Sequence, residues 1–449
     1  MLTKEQNELL CRVGPGTPVG EMMRQYWVPA LLSSEVPEQD GAPVRVRLLG
    51  EDLIAFRDTS GTAGLLQNAC PHRGASMFFG RNEADGLRCV YHGWKFDVSG
   101  ACVDMPNEPA ESNFKHKIRA TAYRCLERAG IVWAWMGAGD HVPPLPDFEF
   151  NLLPESHVRV GRRYHETNYL QALEGGIDTS HASFLHSSLQ PRQPGETIAS
   201  TLLAPERRPG LEVVEMEGGL IIGARRDQGA GTEYWRLNLF QLPFYTQTPS
   251  AGRHSLIAWV PMDDDHTLRV AVVWDPAEPI TDERLAEETR RTGRNPLPGG
   301  FISQDRLRPA TSQPAGAWRA VADHTNDYLI DREFQRTKRF SGVDGGDVGT
   351  EDLSVTESMG AICDRTKEHL GTTDMGIIAT RRMISRAALA WRDQRVAPPG
   401  AERPEVFCVR APAYVTQKGT DWLAQGREFM KGRPGVPDAT LQMPAGRTR

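Results

Sequence analysis

The chain has 449 residues, enough for a large core and for two or more domains of ordinary size. Its net charge of −6 offers no general attraction to nucleic acid or to an anionic membrane, which excludes both as partners. The N-terminus resembles neither a secretory signal nor a transit peptide, and no apolar run approaches the roughly 18 residues that span a bilayer. We therefore expect a cytoplasmic protein whose seven scattered cysteines are buried thiols or metal ligands rather than disulfides.

In the N-terminal third, the spacing of apolar residues changes from a helical to a strand-like pattern. Apolar side chains recur at helical spacing over 1–36, so residues 1–40 are predicted to form a helical cap. From Pro43 the period is two, and short alternating runs are separated by Gly, Asp and Asn. We expect a small all-β domain over 41–145, ending in the proline-rich stretch 139–150.

Residues 146–432 are predicted to form a second domain of mixed α+β class. Five strand-like runs between 211 and 274 are separated by Gly, Asp and Pro turns, which indicates an antiparallel sheet with helices on one side. Residues 433–449 are polar and rich in Pro and Gly, and we expect a flexible tail. Helices are predicted over 164–182, 319–339, 351–369 and 374–394.

Two short loops each pair one cysteine with one histidine. Cys70 and His72 form C-x-H, and after sixteen intervening residues Cys89 and His92 form C-x2-H. Zinc could accept two sulfurs and two nitrogens, but zinc loops usually begin with C-x2–4-C, which puts both sulfurs on one loop. The mixed pairing suits a [2Fe–2S] cluster with two cysteines on one iron and two histidines on the other. The spacing therefore favours an iron–sulfur cluster over a zinc site.

The residues around these loops carry a family resemblance. "CPHRGA" (70–75) and "CVYHGWKFD" (89–97) resemble the Rieske signature of aromatic-ring oxygenases. The resemblance to Rieske non-haem iron oxygenases spans most of the chain, and the pair Glu174-Gly175 is similar to the pattern of the phthalate dioxygenase branch. It implies an α+β fold in which an all-β Rieske domain precedes a helix-grip (START-like) catalytic domain.

A second group of metal-binding residue types lies in the predicted helix over 164–182 and just beyond it. Asp178, His181 and His186 form the pattern D-x2-H-x4-H. On one helix the first two would share a face, whereas the two histidines would diverge by about 140°. The helix must therefore end or distort near 182–185 if both imidazoles bind one ion. Two histidines and one carboxylate form the facial triad of Fe(II) oxygenases, which leaves positions open for O₂.

The third ligand must be a carboxylate from elsewhere in the chain. In the family it lies at the start of a late helix, which "TEDLSVTESMGAICDR" (350–365) resembles, so the resemblance implies Asp352. Glu351 would point about 100° away and is interpreted as a charge favoured at a helix N-terminus. The carboxylates considered are Asp344, Asp347, Glu351, Asp352, Glu357 and Asp364.

The resemblance also implies a role for Asp178. It could ligate iron itself, but in the family this aspartate accepts a hydrogen bond from a metal-bound histidine, here His181. It also accepts from a Rieske histidine of the neighbouring subunit, by position His92. Electrons would then cross between chains, which implies a trimer or a hexamer of two stacked trimers.

The resemblance implies an aromatic acid as substrate. An anionic substrate needs a cation in an otherwise apolar pocket, ideally the fork of an arginine. Strand alternation puts Arg225 and Arg226 on opposite faces, so at most one of them points inward. The candidate arginines are Arg207, Arg208, Arg225 and Arg226.

These features together predict a terminal oxygenase with a Rieske [2Fe–2S] cluster and a mononuclear Fe(II), acting on a phthalate-type aromatic carboxylate. O-Demethylation of methoxylated lignin-derived acids remains open as an alternative. The sequence has no Rossmann G-x-G-x-x-G and no plant-type C-x4-C-x2-C, so we expect a separate NAD(P)H-dependent flavin and [2Fe–2S] reductase. A Rieske electron carrier would need neither the D-x2-H-x4-H pattern nor the large second domain, and a zinc scaffold would lack visible absorbance.

Overall fold

The structure is a computed structural model that describes residues 1–109, 111–189, 208–250, 252–292, 296–297 and 301–433. Within these ranges the chain forms three antiparallel sheets with helices packed on the largest of them, which confirms the predicted α+β class. None of the helices in these ranges combines the length and apolar character that a membrane span requires. The predicted tail over 433–449 lies, except for its first residue, outside the described residues.

The N-terminal third holds two small sheets. Its described strands are β1 (Trp27–Leu32), β2 (Val44–Leu48), β3 (Glu51–Arg57), β4 (Ala63–Gln67), β5 (Arg81–Glu83), β6 (Gly86–Arg88), β7 (Lys95–Phe96), β8 (Cys102–Asp104), β9 (Ala122–Arg128) and β10 (Ile131–Trp135). One sheet has the order β1-β10-β9-β4-β3-β2, and the other has the order β5-β6-β7-β8. A small core that includes Phe56, Leu66 and Phe96 also contains Cys70 and Cys89. The packing of the two sheets thus holds both cysteine loops side by side.

The prediction of a helical cap over 1–40 is wrong from Trp27 onward. The helices there are α1 (Lys4–Cys11) and α2 (Pro18–Met23), and β1 then pairs with β10. Every residue of β1 is buried, so its sequence is a continuous apolar run without the period of two that marks a half-exposed strand. Pro29 lies in an edge strand, at a point where the pairing with β10 shifts register between Pro29 and Leu31, and both settings tolerate proline.

The second domain is built on one large antiparallel sheet. Its described strands are β11 (Val158–His165), β12 (Gly210–Met216), β13 (Gly219–Gly229), β14 (Thr232–Gln241), β15 (Tyr245–Gln247), β16 (His254–Pro261), β17 (Thr267–Trp274) and β18 (Ala413–Gln417). Their order in the sheet is β11-β17-β16-β15-β14-β13-β12, and β18 extends it by pairing with β14. The five predicted runs correspond to β12, β13, β14, β16 and β17.

The helices differ from the predictions at their ends. The described ones are α3 (Tyr169–Ile177), α4 (Asp282–Thr292), α5 (Arg332–Thr337), α6 (Val348–Glu357), α7 (Met375–Gln394) and α8 (Trp422–Met430). The helix predicted over 374–394 is confirmed as α7, which packs on β12 and β13. The helix predicted over 319–339 is wrong except for α5, because Asp327, Tyr328 and Leu329 all adopt left-handed backbone angles. Two further predictions are too long, since α3 covers only part of 164–182 and α6 ends well before 369.

The first helices pack on the second domain, although the small sheets lie between them in sequence. The side-chain amide of Asn168 donates to the carbonyl of Cys11 (2.9 Å), and the Tyr169 hydroxyl donates to the carbonyl of Leu10 (2.9 Å). Helix α2 lies against α7. The start of α3 is therefore held by the N-terminus of the chain.

The other end of α3 is held by a buried ion pair. Glu174 accepts from Arg365 (3.0 Å) and from Arg381 of α7 (2.6 Å). Burial alone would raise the pKa of Glu174, but the two guanidinium groups hold it below its usual range. Helix α3, which leads into the predicted metal-binding stretch, is thus fixed at both ends.

Candidate metal centres

The two cysteine loops have the same backbone structure. In each, the cysteine N–H donates to the carbonyl five residues later (2.8 Å in both loops), and the cysteine carbonyl accepts from a glycine N–H four residues later (2.9 Å in both). The glycines, Gly74 and Gly93, have φ angles of +77° and +81°, which other residues adopt only at a cost. Two matching turns therefore present Cys70 with His72 and Cys89 with His92.

The side chains of these loops fit a metal cluster. Cys70 and Cys89 are buried, and the rings of His72 and His92 lie 4.4 Å apart between centroids. Nδ1 of His72 is buried without a hydrogen-bond partner among the described residues, which is costly unless a metal takes its lone pair. Burial raises the pKa of the Cys70 thiol to about 11, so a bound metal would have to displace its proton. Trp94 stacks on the His72 ring at 4.3 Å and fixes its plane.

Helix α3 ends earlier than the sequence predicts. It stops at Ile177, and Asp178 already has extended backbone angles, so the break precedes His181 rather than following it. The sheet satisfies the carbonyls that the break exposes: Asn238 donates to the carbonyl of Ile177 (3.2 Å), and Arg226 donates to that of Thr179 (3.2 Å). The last turn of α3 and the residues after it are therefore anchored to β13 and β14.

Asp178 organises the turn that follows the helix. One carboxylate oxygen accepts from the N–H of Ser180 (2.7 Å), and the other accepts from the N–H of His181 (3.1 Å). The second oxygen also lies 3.2 Å from Nδ1 of His181. Burial would raise the pKa of Asp178, but its hydrogen bonds with His181 and Ser180 hold it below its usual range. An ionised Asp178 thus accepts a hydrogen bond from Nδ1–H of His181, which leaves the unprotonated Nε2 facing the opposite way.

Three potential ligand atoms converge beyond this turn. Nε2 of His181 and Nε2 of His186 are 3.2 Å apart, and Oδ1 of Asp352 lies 3.6 Å from the first and 3.0 Å from the second. Atoms bound at about 2.1 Å and at right angles around one ion are about 3.0 Å apart. Among the residues that the structure describes, these three form the one group of three or more His, Cys, Asp or Glu side chains close enough together to hold a single metal ion. The arrangement fits a facial triad.

The other five carboxylates considered for the third ligand have different partners. Asp347 caps α6 through the N–H of Thr350, and Glu357 accepts from the Tyr328 hydroxyl (2.6 Å). Asp364 accepts from Thr366, and Asp344 pairs with Arg306. Glu351, the fifth, contacts a histidine nitrogen that faces away from the three converging atoms.

That contact was missed by the sequence analysis. Oε2 of Glu351 lies 2.6 Å from Nδ1 of His186, and the carboxylate is fully buried beside Arg339. Glu351 does lie in the first turn of α6, as interpreted, but its contacts with His186 and Arg339 give it a role that this interpretation omitted. One signal was available: a metal-bound histidine normally donates its second N–H to a carboxylate, and His186 had no partner in the predicted site.

The four candidate arginines take different positions. Arg226 is fully buried, whereas the side chain of Arg225 is 51% exposed and pairs with Glu233 at 3.0 Å. The expectation that these neighbours face opposite ways is thus met. Arg208 lies at the surface, and Arg207 is outside the described residues.

The fold and the two centres define an oxygenase class that combines an iron–sulfur domain with a mononuclear iron domain. A family model described as a Rieske [2Fe–2S] domain matches residues 26–125, and one described as LigXa C-terminal domain like matches residues 134–436. The chain belongs to the Rieske non-haem iron oxygenases, as the oxygenase subunit of the aromatic ring-hydroxylating type. The family uses a Rieske [2Fe–2S] cluster and a mononuclear non-haem iron.

Several curated relatives are similar over nearly their whole length. The 3-chlorobenzoate-3,4-dioxygenase oxygenase subunit of Comamonas testosteroni is 41% identical over 96% of this chain and 99% of its own. The phthalate 4,5-dioxygenase oxygenase subunit of Pseudomonas putida is 36% identical over 94% of each chain. The 5,5'-dehydrodivanillate O-demethylase oxygenase subunit of Sphingobium sp. (strain NBRC 103272 / SYK-6) is 42% identical over 86% of this chain and 80% of its own.

A solved structure shows the same fold at low sequence identity. The oxygenase in the oxygenase–ferredoxin complex of carbazole 1,9a-dioxygenase has a TM-score of 0.53 and 17% identity, covering 85% of this chain and 93% of that one.

The two loop glycines allow a paired test of the cluster loops. Both glycines have positive φ, but a Cβ at Gly93 would lie 2.7 Å from Pro106, whereas a Cβ at Gly74 meets nothing within 4 Å. We therefore expect Gly93→Ala to reduce the amount of bound cluster more than Gly74→Ala does. The shared backbone cost is about 1–2 kcal/mol, and only Gly93→Ala adds a clash. Visible absorbance and acid-labile sulfide per chain measure the loss, and equal losses would contradict this account.

Proposed function

We propose that the chain is the terminal oxygenase of a multicomponent system that hydroxylates an aromatic carboxylate, with iron bound by His181, His186 and Asp352. The observation that carries this proposal is the convergence of two Nε2 atoms and one carboxylate oxygen within 3.0–3.6 Å of one another. When bound, the iron supplies O₂ activation and the Rieske cluster supplies electrons one at a time. The protein's own residues orient the ligands, hold the substrate and limit the access of water.

We assign the cluster to Cys70, His72, Cys89 and His92, and a bridging role to Asp178. The side chain of Asp178 is 20% exposed, so a donor from outside the chain can reach it. Near the cluster, His92 is half-buried and its neighbour Tyr91 is 56% exposed. Contact between these two surfaces would join His181 to His92 of the partner subunit through Asp178. A head-to-tail contact of this kind forms a ring when the rotation between neighbouring subunits closes, and we propose a trimer or a pair of stacked trimers.

We propose a separate reductase as electron donor, with a flavin and a [2Fe–2S] cluster and NAD(P)H as its reductant. Three observations support a separate protein. The similar curated proteins are named as oxygenase subunits, and the solved relative was found in complex with a ferredoxin. The sequence itself contains neither the dinucleotide-binding motif nor the plant-type ferredoxin motif.

We propose Arg226 as the residue that binds the substrate's carboxylate. It is fully buried, and its donation to the carbonyl of Thr179 places it two residues from the His181 ligand. Strand alternation directs Arg226 to the face of the sheet that contacts α3, and Arg225 to the outside. The relatives named for chlorobenzoate and phthalate support an acidic aromatic substrate.

O-Demethylation is the second candidate, supported by the 42% identity to a dehydrodivanillate O-demethylase subunit. The two reactions need the same metal ligands and differ in which substrate atom lies nearest the iron. A panel of aromatic acids and methoxylated aromatic acids, assayed with a flavin/[2Fe–2S] reductase, separates them by product. Ring diols indicate dioxygenation, and formaldehyde with a phenol indicates demethylation. Turnover of neutral aromatics alone would contradict the carboxylate proposal.

The adjacent arginines provide a matched pair for the substrate assignment. We expect Arg226→Met to raise KM for the acid substrate about 10- to 100-fold, because a charge-assisted hydrogen bond contributes roughly 1.5–3 kcal/mol. Arg225→Met should leave KM within about twofold, since its exposed pair with Glu233 contributes little. Steady-state kinetics on the best acid of the panel measure both. Equal effects of the two substitutions would refute the assignment.

The iron ligands are tested by His181→Ala. We expect the visible Rieske spectrum to persist, one iron per chain to be lost and product formation to cease, because two remaining ligands hold the ion poorly. His141→Ala is the control, since that side chain is 79% exposed and pairs with Glu402. Iron analysis and product assays measure the result. Retained product formation in His181→Ala would refute the triad.

The bridge is tested by Asp178→Asn, which keeps the shape but removes the charge. We expect both metal centres to remain and the cluster to reoxidise at least tenfold more slowly in a single turnover with substrate and O₂. The physical reason is that an amide oxygen accepts less strongly and holds the two histidines less firmly. Stopped-flow absorbance at the Rieske bands measures this rate, and an unchanged rate would contradict the bridge.

Mixed oligomers show separately whether electrons cross between chains. Subunits with His181→Ala keep a cluster, and subunits with Cys70→Ser keep a triad, so neither forms an active homo-oligomer. If the path runs between subunits, co-assembly restores part of the activity. Co-assembled particles that contain both subunits but stay inactive would favour a path within one chain.

A further inference from the structure

We infer that Glu351 is a positioning residue for the iron site. It fixes the His186 ring through Nδ1, the ring nitrogen that faces away from the iron, as Asp178 fixes the ring of His181. The inference rests on the proposed function, since it concerns the same iron. It goes further by dividing the site into a closed side at His186 and an open side at His181.

Glu351 has no capacity left for another donor. Its carboxylate is fully buried and accepts from Nδ1 of His186 (2.6 Å), from Nε and Nη2 of Arg339 (2.7 Å each) and from the Ser341 hydroxyl. An ionised carboxylate offers about four acceptor sites, and these four donors occupy them. The two-pronged contact with Arg339 also fixes the plane of the carboxylate, and hence the direction in which it meets the imidazole.

Asp178 is bound more loosely and is more accessible. Among the described residues three donors reach it, all from Ser180 and His181, and its contact with Nδ1 of His181 is 3.2 Å long, compared with 2.6 Å for Glu351 and His186. Its side chain is 20% exposed, whereas that of Glu351 is 0% exposed. The described residues thus leave one acceptor site of Asp178 for a donor from another chain, which the carboxylate of Glu351 cannot offer.

Helix α6 places a carboxylate beside each ring nitrogen of His186. Asp352 lies 3.0 Å from Nε2, and Glu351, one residue earlier, lies 2.6 Å from Nδ1. Successive helical residues point about 100° apart, so two adjacent carboxylates can reach opposite sides of one imidazole. A shift of α6 therefore moves the ligand and its positioning residue together.

The backbone ties Arg339 to the loop that contains His186. The N–H of Leu189 donates to the carbonyl of Lys338 (2.9 Å), and the N–H of Phe340 donates to that of Ser187 (3.0 Å). Glu351 thus joins three segments of chain: α6, the segment with Arg339, and the loop after the helix break. Its negative charge balances Arg339 and orders these segments around a single imidazole.

The test compares two identical substitutions on α6. In Glu351→Gln we expect the affinity for Fe(II) to fall about 10- to 100-fold, the range typical for loss of a partner to a metal-bound histidine. Glu357→Gln is the control, because that glutamate also accepts hydrogen bonds on the same helix but contacts Tyr328 and the backbone of Glu166 instead of a histidine. Its Fe(II) affinity should change less than twofold. Titration of iron-depleted protein with Fe(II) against a chelator measures both.

Two further measurements separate positioning from general stability. The Rieske absorbance reports whether the chain is folded, and the EPR spectrum of the Fe(II)–nitric oxide complex reports the symmetry of the iron site. We expect Glu351→Gln to keep the first and change the second, and Glu357→Gln to keep both. If Glu351→Gln does not fold, Glu351→Asp keeps the charge beside Arg339 while withdrawing the carboxylate from Nδ1, and the same loss of affinity is expected.

The outcomes for the inference and for the proposed function are distinct. If the unmodified protein binds Fe(II) and His181→Ala does not, but Glu351→Gln or Glu351→Asp binds it as the unmodified protein does, Glu351 is not a positioning residue. If the unmodified protein binds no iron beyond its cluster, the triad itself is wrong. Equal losses in Glu351→Gln and Glu357→Gln would assign the effect to helix stability and overturn the inference.

Discussion

Three ligand atoms can share one ion only if they come within about 3 Å of one another, and that requirement shapes the second domain. Two of them come from histidines five residues apart, which a continuous helix would direct about 140° apart. The chain meets the requirement by ending α3 at Ile177 and letting Asp178 organise the turn that follows. The exposed carbonyls then need donors, and the sheet supplies them from Asn238 and Arg226. The position of α3 over the sheet follows from this break.

Buried charges hold the pieces in that arrangement. Glu174 and Glu351 are both buried among arginines, the first at the end of α3 and the second in α6. Such pairs add little net stability, since removing two charges from water costs about as much as their attraction returns. Their geometric effect is larger, because a carboxylate facing a guanidinium fork has few alternative partners. The site therefore depends on ion pairs that specify where the helices lie.

The sequence predicted those parts that depend on neighbouring residues. The loops of Cys70 and Cys89 were evident from their spacing, and β12, β13, β14, β16 and β17 from their alternation. Opposite faces for Arg225 and Arg226 followed from the same alternation. In each case the deciding information lies within a few residues, because backbone geometry fixes where adjacent side chains point.

Most of the predictions that failed concern contacts between residues that are distant in sequence. The early end of α3 relies on donors from β13 and β14, and no local signal near Asp178 reveals them. Glu351 is separated from its histidine by 165 residues, so its role was invisible until α6 was placed. Strand β1 was misread because burial on both faces removes its alternation. The sequence pattern thus predicted turns and the faces to which side chains point. Hydrogen-bond partners that are distant in sequence were visible only in the structure.

Helices α1 and α2, which precede the Rieske domain in sequence, pack against α3 and α7, which follow it. The catalytic half is therefore assembled from segments on both sides of the Rieske domain in the sequence. In topological terms, the electron-transfer module is inserted into the oxygenase module instead of preceding it. A hybrid of two relatives made with a single splice between the modules would pair the N-terminal helices of one parent with the catalytic core of the other. Exchange of the module as a unit needs two splice points, one before residue 26 and one near residue 134.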